Sequence, residues 1–139
     1  MAKTGGEVQQ DIFRLLKDST LAKQLSGGVY NDPEMRPRNS YKEDALVIFT
    51  EGQATQVESG TVTVDIYVPD IDPFENGVFI KDKQRTDEIE KLAQEWFDSL
   101  TADRTGYKFR LTQAIYTEAE PTIKQHFVVV KLGYDYFGG

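Results

Sequence analysis

Few residues in this chain could do chemistry. His126 is the single histidine and there is no cysteine, so thiolate nucleophiles, disulfides and zinc sites built on cysteine are excluded. His126 lies inside an alternating strand pattern beside Phe127, and nothing in the sequence points to a carboxylate or hydroxyl partner that would make it a general base. A packed or partly exposed strand residue is the expectation.

Asp70, Asp72, Glu75 and Asn76 crowd oxygen ligands into one loop, which raises Ca²⁺ binding. The spacing argues against it. Counting from Asp70, the fifth position of an EF-hand loop would be Phe74, and the sixth, which should be Gly, is Glu75. Asp and Asn also serve turns by accepting hydrogen bonds from nearby backbone, and that role is the simpler expectation. Gly27-Gly28 lacks the spacing of a phosphate-binding loop and reads as a helix stop, where positive φ is cheap. No catalytic residue, cofactor or metal is expected.

Composition narrows the remaining classes. A chain of 139 residues with 39% hydrophobic and 12% aromatic residues suits one globular domain. A net charge of −7 argues against a nucleic-acid binder, and Arg36-Pro37-Arg38 is too short a basic stretch to track a phosphate backbone. The N-terminus has no apolar core of a signal peptide, and the longest apolar runs, Ala45 to Phe49 and Phe127 to Val130, are far short of a membrane span. A soluble protein, made and kept or assembled inside a cell, is expected.

The elements that must position these residues are legible from periodicity. Thr61 to Val68 alternates, with Val62, Val64, Ile66 and Val68 on one face and Thr61, Thr63, Asp65 and Tyr67 on the other, which predicts a half-buried antiparallel strand closed by Pro69. Val8, Ile12, Leu15 and Leu16 share one helical stripe, and Thr4 with Glu7 could form a capping box. The helical reading runs from Glu7 to Leu25, interrupted at Asp18-Ser19-Thr20. Val29-Tyr30 is a short strand candidate, and Asn31 to Ser40 a long loop.

Asp44 to Thr50 reads as a strand, Gly52 to Val57 as its hairpin mate, and Glu58-Ser59-Gly60 as the turn into the central strand. Thr86-Asp87-Glu88 is expected to open a second helix, whose stripe is Ile89, Leu92, Ala93, Trp96, Phe97 and Leu100, with Asp87 and Lys91 paired on its wet side. Tyr107 to Tyr116 and Lys124 to Phe137 predict a final hairpin turning at Glu118 to Pro121, with His126, Val128, Val130, Leu132 and Tyr134 on one face. The predicted class is α+β: a mainly antiparallel sheet with two amphipathic helices on one face, in the order α-β-β-β-α-β-β, as one domain over 1–139 with flexible ends at 1–6 and 138–139. Tyr67, Tyr116, Tyr134, Tyr136 and Phe137 could then gather as an exposed aromatic surface and mark a partner interface.

The run from Asp11 to Ala22, then Gly27-Gly28-Val29-Tyr30, then Arg36 to Ser40 and Glu43-Asp44 before a strand, resembles the small tail proteins of tailed bacteriophages and prophages. More specifically it is similar to the tail-terminator group, also called tail-completion, minor tail or head–tail joining proteins. The resemblance covers nearly the whole chain as architecture, and its sequence anchors, Gly28-Val29-Tyr30 and Arg36-Pro37, are short. It implies a non-enzymatic virion component, assembled in the bacterial cytoplasm, that forms a ring, commonly hexameric, on the end of the tail tube. Its implied partners are further copies of itself, tail-tube proteins and the head connector, with no specific nucleic-acid binding and no membrane. The loops at 31–40 and 70–77 are candidate arms, and the expected interface residues are Tyr30, Arg36, Arg38, Tyr67, Asp70, Asp72, Phe74, Tyr134 and Tyr136. An acidic balance would suit a lumen through which DNA passes without sticking. Two rivals are a soluble intracellular adaptor binding through the aromatic sheet face, and a metal enzyme at Asp70, Asp72 and Glu75.

Overall fold

The computed structural model describes residues 3–53, 58–100 and 105–137. Their elements, in chain order, are helices α1 (Gly5–Lys17) and α2 (Thr20–Gln24), strands β1 (Val29–Tyr30), β2 (Ala45–Gln53) and β3 (Glu58–Pro69), helix α3 (Lys83–Ser99), and strands β4 (Tyr107–Leu111), β5 (Tyr116–Glu120) and β6 (Gln125–Tyr136). The sheet runs β1-β2-β3-β6-β4, with β5 following β4 along the same edge of β6. All pairings are antiparallel except β1 with β2. The class is therefore α+β, as the alternation predicted.

The pair β3–β6 is the axis of the sheet, in register from Glu58↔Tyr136 to Pro69↔Gln125. Val62, Val64, Ile66 and Val68 of β3 and Val128, Val130, Leu132 and Tyr134 of β6 are all buried on one face. Val8, Ile12 and Leu16 of α1 and Ile89, Ala93 and Trp96 of α3 complete the same core. Each aliphatic side chain so buried contributes about 1.5–3 kcal/mol. The helix stripe and the strand alternation are two halves of one hydrophobic layer.

Local chemistry sets the helix ends. Thr4 accepts from the Glu7 N–H and Glu7 accepts from the Thr4 N–H, so the capping box forms and α1 begins at Gly5. The expected flexible N-terminal stretch is thus a capped first turn from Thr4 onward, while residues 1–2 and 138–139 lie outside the described residues. Ser19 ends one helical segment and caps the next, accepting from the Ala22 N–H. α3 starts three residues before Thr86, because Asp82 is the cap and accepts from the Arg85 N–H. Thr86 is instead buried in the first turn, its hydroxyl donating to Lys83 O.

Three other expectations are corrected. Gly52 belongs to β2, which continues past a bulge at Thr50, and Glu58 to Gly60 are strand, not turn; the rest of the supposed hairpin mate, 54–57, lies outside the described residues. The strand expected over Tyr107 to Tyr116 breaks after Leu111 and resumes at Tyr116, so Glu118 to Glu120 are strand and the turn is Pro121 to Lys124. Residues 112–115 of this edge face only Val130 and Lys131 of β6, and the even number of extra residues keeps both segments in the same phase. Gly27 and Gly28 do not stop a helix with positive φ. The Gly27 N–H donates to Glu43 O at 3.0 Å, and a Cβ there would sit 2.6 Å from that oxygen, so close backbone approach is what demands glycine.

Candidate protein interface

Between Pro69 and α3 the chain leaves the sheet as an arm, residues 70–81. Its base is held at several points. The Asp70 N–H donates to Lys124 O at 3.0 Å, and an Asp70 carboxylate oxygen lies 2.6 Å from His126 Nδ1. The histidine thus has a carboxylate partner that the sequence did not indicate, and the pair ties the arm to β6. Ile71 and Ile80 then form an antiparallel bridge, with N–H···O distances of 2.8 and 2.9 Å.

The tip is organised by its own acids and amides. Asp72 accepts from the Asn76 N–H at 3.1 Å and the Gly77 N–H at 2.9 Å, and Asn76 accepts from the Val78 N–H at 3.0 Å. Glu75 and Gly77 take positive φ, 53° and 80°, to close the turn. This is turn chemistry, as Asp and Asn in such loops suggest. Asp70 is committed to His126 and Asp72 to backbone amides, and among the described residues no three carboxylates or histidines converge as a metal set.

What the arm presents is apolar. Phe74 is 76% exposed and Val78 58%, and Ile71, Phe79 and Ile80 are exposed beside them. Lys124 Nζ lies 4.5 Å from the Phe79 ring centroid. A rigid turn carrying five exposed apolar side chains is the chemistry of a protein contact. Of the expected interface residues, Asp70, Asp72 and Phe74 meet here. Ile71, Val78, Phe79 and Ile80 were missed; the signal was the apolar run Val78-Phe79-Ile80 directly after a turn glycine and outside any periodic element.

The 31–40 loop has a different role from a free arm. Arg36 clasps it to the sheet: Nε donates to Asp44 Oδ2 at 2.8 Å, Nη2 donates to Gln125 Oε1 at 2.8 Å, and the guanidinium lies 4.1 Å from the Tyr67 ring centroid. Ser40 Oγ and the Gly28 N–H also donate to Asp44, and Gln125 Nε2 donates back to Ser40 O at 2.7 Å. Asp44 and Gln125 are buried. Burial pushes the Asp44 carboxyl up, but the hydrogen bonds from Ser40, Arg36 and the Gly28 amide outweigh it and hold the group below its ordinary range. A second clasp, Arg85 to Glu43 at 2.6 and 2.8 Å and to Gln24 O, fixes the start of α3 to the end of this loop. Arg38, Met35 and Tyr41 remain exposed on the loop.

The expected aromatic sheet face is not assembled. Tyr67 and Phe127 do pair on the face away from the helices, with centroids 5.3 Å apart, but Arg36 covers Tyr67. Tyr134 points the other way, into the core, where it meets Tyr107 edge-on at 5.8 Å. Tyr136 lies at the end of the sheet remote from the arm, beside Tyr107 and under Lys3. Tyr107 donates to Asp11 at 2.6 Å, and burial with that bond raises its phenol. Tyr30 is half-buried in β1 and Phe137 is exposed. On the open face Asp65 is pushed up to about 6, first by burial and then by Glu118, with Lys131 opposing.

No helix among the described residues is long and apolar enough to cross a membrane. No family model matches the chain, and no curated protein matches it. One solved structure whose name carries no functional information aligns over 99% of this chain and 99% of its own, at 16% identity and a TM-score of 0.47.

Proposed function

We propose that this chain is a non-enzymatic structural subunit of a phage or prophage tail, which forms a ring at the end of the tail tube, stops its growth and joins it to the head connector. The observation that carries the reading is the arm at 70–81, an apolar turn held rigid by Asp70, Asp72 and the Ile71–Ile80 bridge. A surface fixed in advance loses little entropy when it docks, which suits a permanent assembly contact. A closed ring needs two different patches per subunit, and the arm supplies one of them. The run from Asp11 to Ala22 with Gly28-Val29-Tyr30 and Arg36-Pro37 adds the resemblance to tail-terminator proteins. The net charge of −7 fits a lumen that does not retain DNA.

The test is the genomic neighbourhood. Reading frames for capsid, connector, tube and tape-measure proteins should flank the gene in series, and purified protein should cap isolated tubes of the same tail as a ring visible by electron microscopy. Metabolic or regulatory neighbours and bare tube ends would reject the reading.

A further inference from the structure

We infer that two copies of this chain pair along the β4–β5 edge of the sheet, about a two-fold axis, so that the sheet runs on from one chain into the other. A two-fold contact cannot recur within one ring of cyclic symmetry, so this pairing goes beyond the ring reading and belongs to the free chain. Among the described residues no strand lies beyond the β4–β5 edge. The Thr112 N–H donates to Lys131 O and the Phe137 N–H donates to Gly106 O, so even-numbered residues of β4 point their backbone at β6. β5 keeps that phase. Phe109 and Leu111 of β4 and Thr117 and Ala119 of β5 therefore turn N–H and C=O outward, where nothing among the described residues answers them. Such a row of donors and acceptors is a template for another strand.

The side chains at this edge select the strand. On the face away from the helices β4 carries Lys108 and Arg110, and β5 carries Glu118 and Glu120. The partners of these glutamates within the chain are the neutral hydroxyls of Tyr116 and Thr122. Directly behind Glu118 and Glu120 on β6 stand Phe127 and Gln125, and behind Lys108 and Arg110 stand Asp135 and Gly133. Arg110 meets Asp135 only at 3.5 Å and stays more than half exposed. Lys131 lies over the Tyr116 ring, Lys124 over Phe79, and Arg36 reaches Gln125 already paired with Asp44. The rim of the sheet thus has a cationic half and an anionic half.

Those halves match under one rotation. Measured along β6, Lys108 and Glu120 lie five residues either side of Val130, and Arg110 and Glu118 three. An axis normal to the sheet at the level of Val130 sets Lys108 opposite Glu120 of the second copy and Arg110 opposite its Glu118. The same rotation sets Phe109 opposite Ala119 and Leu111 opposite Thr117, the residues whose backbone groups face outward. Opposite charges directly across an antiparallel pair attract, and like charges repel. Sliding one copy by two residues leaves only one cation opposite a carboxylate, and pairing β4 with β4 sets Lys108 against Arg110. Residues 112–115 fall at the axis, so the join is two short ladders either side of it. Phe109 and Leu111, half-buried at the rim of the core, gain cover there, and the small Ala119 leaves room for the ring.

Two double substitutions test the pairing. Lys108→Glu with Arg110→Glu makes both halves of the edge acidic, and Glu118→Lys with Glu120→Lys makes both basic. In sedimentation equilibrium the unaltered chain should form a dimer that weakens with salt, and each substituted chain alone should bind itself at least about tenfold more weakly. Mixed in equal amounts, the two should pair one to one with the affinity restored, because every cross-strand pair is again of opposite sign. That rescue separates lost pairing from lost folding. The chain has no cysteine, so Arg110→Cys with Glu118→Cys can be oxidised cleanly, and residues opposite each other in an antiparallel pair are within disulfide reach. A covalent dimer and nothing larger is expected, since a two-fold contact closes on itself. An unaltered chain that stays monomeric, a mixture that gains nothing over the separate variants, or a ladder of cross-linked oligomers would overturn the inference. Flanking genes and tube capping decide the tail reading separately, whichever way these measurements fall.

Discussion

At the scale of single residues two acids, Asp65 in β3 and Asp44 just before β2, behave oppositely. Asp65 has its carboxyl pushed up from 3.8 to about 6, mostly by burial. The folded chain therefore binds this proton more tightly than the unfolded chain, and stability falls as pH rises from about 4 to 6 and stays lower above. The difference corresponds to about 3 kcal/mol at most, and partial exposure trims it to ~2. Asp65→Asn should raise stability by about 2 kcal/mol at pH 7.5 and by almost nothing at pH 4. Urea midpoints at the two pH values check this, and an equal gain at both would refute it. Asp44 is held below its ordinary range, so its contribution is present at neutral pH and is lost as pH falls through its folded value. Arg36→Ala strips that buried carboxylate of its cation and leaves Gln125 Oε1 without the guanidinium. It should cost about 3–5 kcal/mol at pH 7, and less in acid where Asp44 takes up a proton.

At the scale of elements, Gly27 shows how a local feature can be seen and still be misread. The glycine pair does stand just past a helix, but it serves a backbone contact with the segment at Glu43, distant in sequence. Gly27→Ala should therefore cost about 1–3 kcal/mol through a forced shift, where a mere helix stop would lose less. Thermal melts of Gly27→Ala beside Gly28→Ala make the comparison, since the contact that a Cβ on Gly28 meets is the Tyr30 side chain and not backbone. Elements whose evidence is periodic were legible: the β3 alternation and the stripes of α1 and α3 each announce which face is buried. Features set by partners far along the chain were not. Nothing near Arg36 names Gln125, 89 residues away, and nothing near Asp70 names His126. The break between β4 and β5 was hidden for another reason. Alternation continues across it in phase, so the pattern carries no trace of the interruption. The arm was half-visible: Asp and Asn marked the turn, while the apolar run Val78-Phe79-Ile80 follows no helix or strand period that would say which way it faces, and the fold leaves it exposed.

At the scale of the whole molecule, the proposed ring reading puts stability and assembly in different residues. Phe74 is 76% exposed, so Phe74→Ser should leave stability within about 0.5 kcal/mol while weakening self-association through the arm. Calorimetry paired with light scattering checks the separation, and a variant that melts early would mean that the arm belongs to the core. The order of strands carries one more consequence. β6, the last strand among the described residues, lies at the middle of the sheet and pairs with β3, β4 and β5. During synthesis, Val62, Val64, Ile66 and Val68 must wait for a partner some sixty residues downstream. The nascent chain can therefore complete the hairpin of β2 and β3 early but cannot close its core until the 12 residues of β6 emerge. Premature termination anywhere before Gln125 would leave β3 with one edge uncovered, so cells making this protein would accumulate either folded chains or fragments fit for degradation.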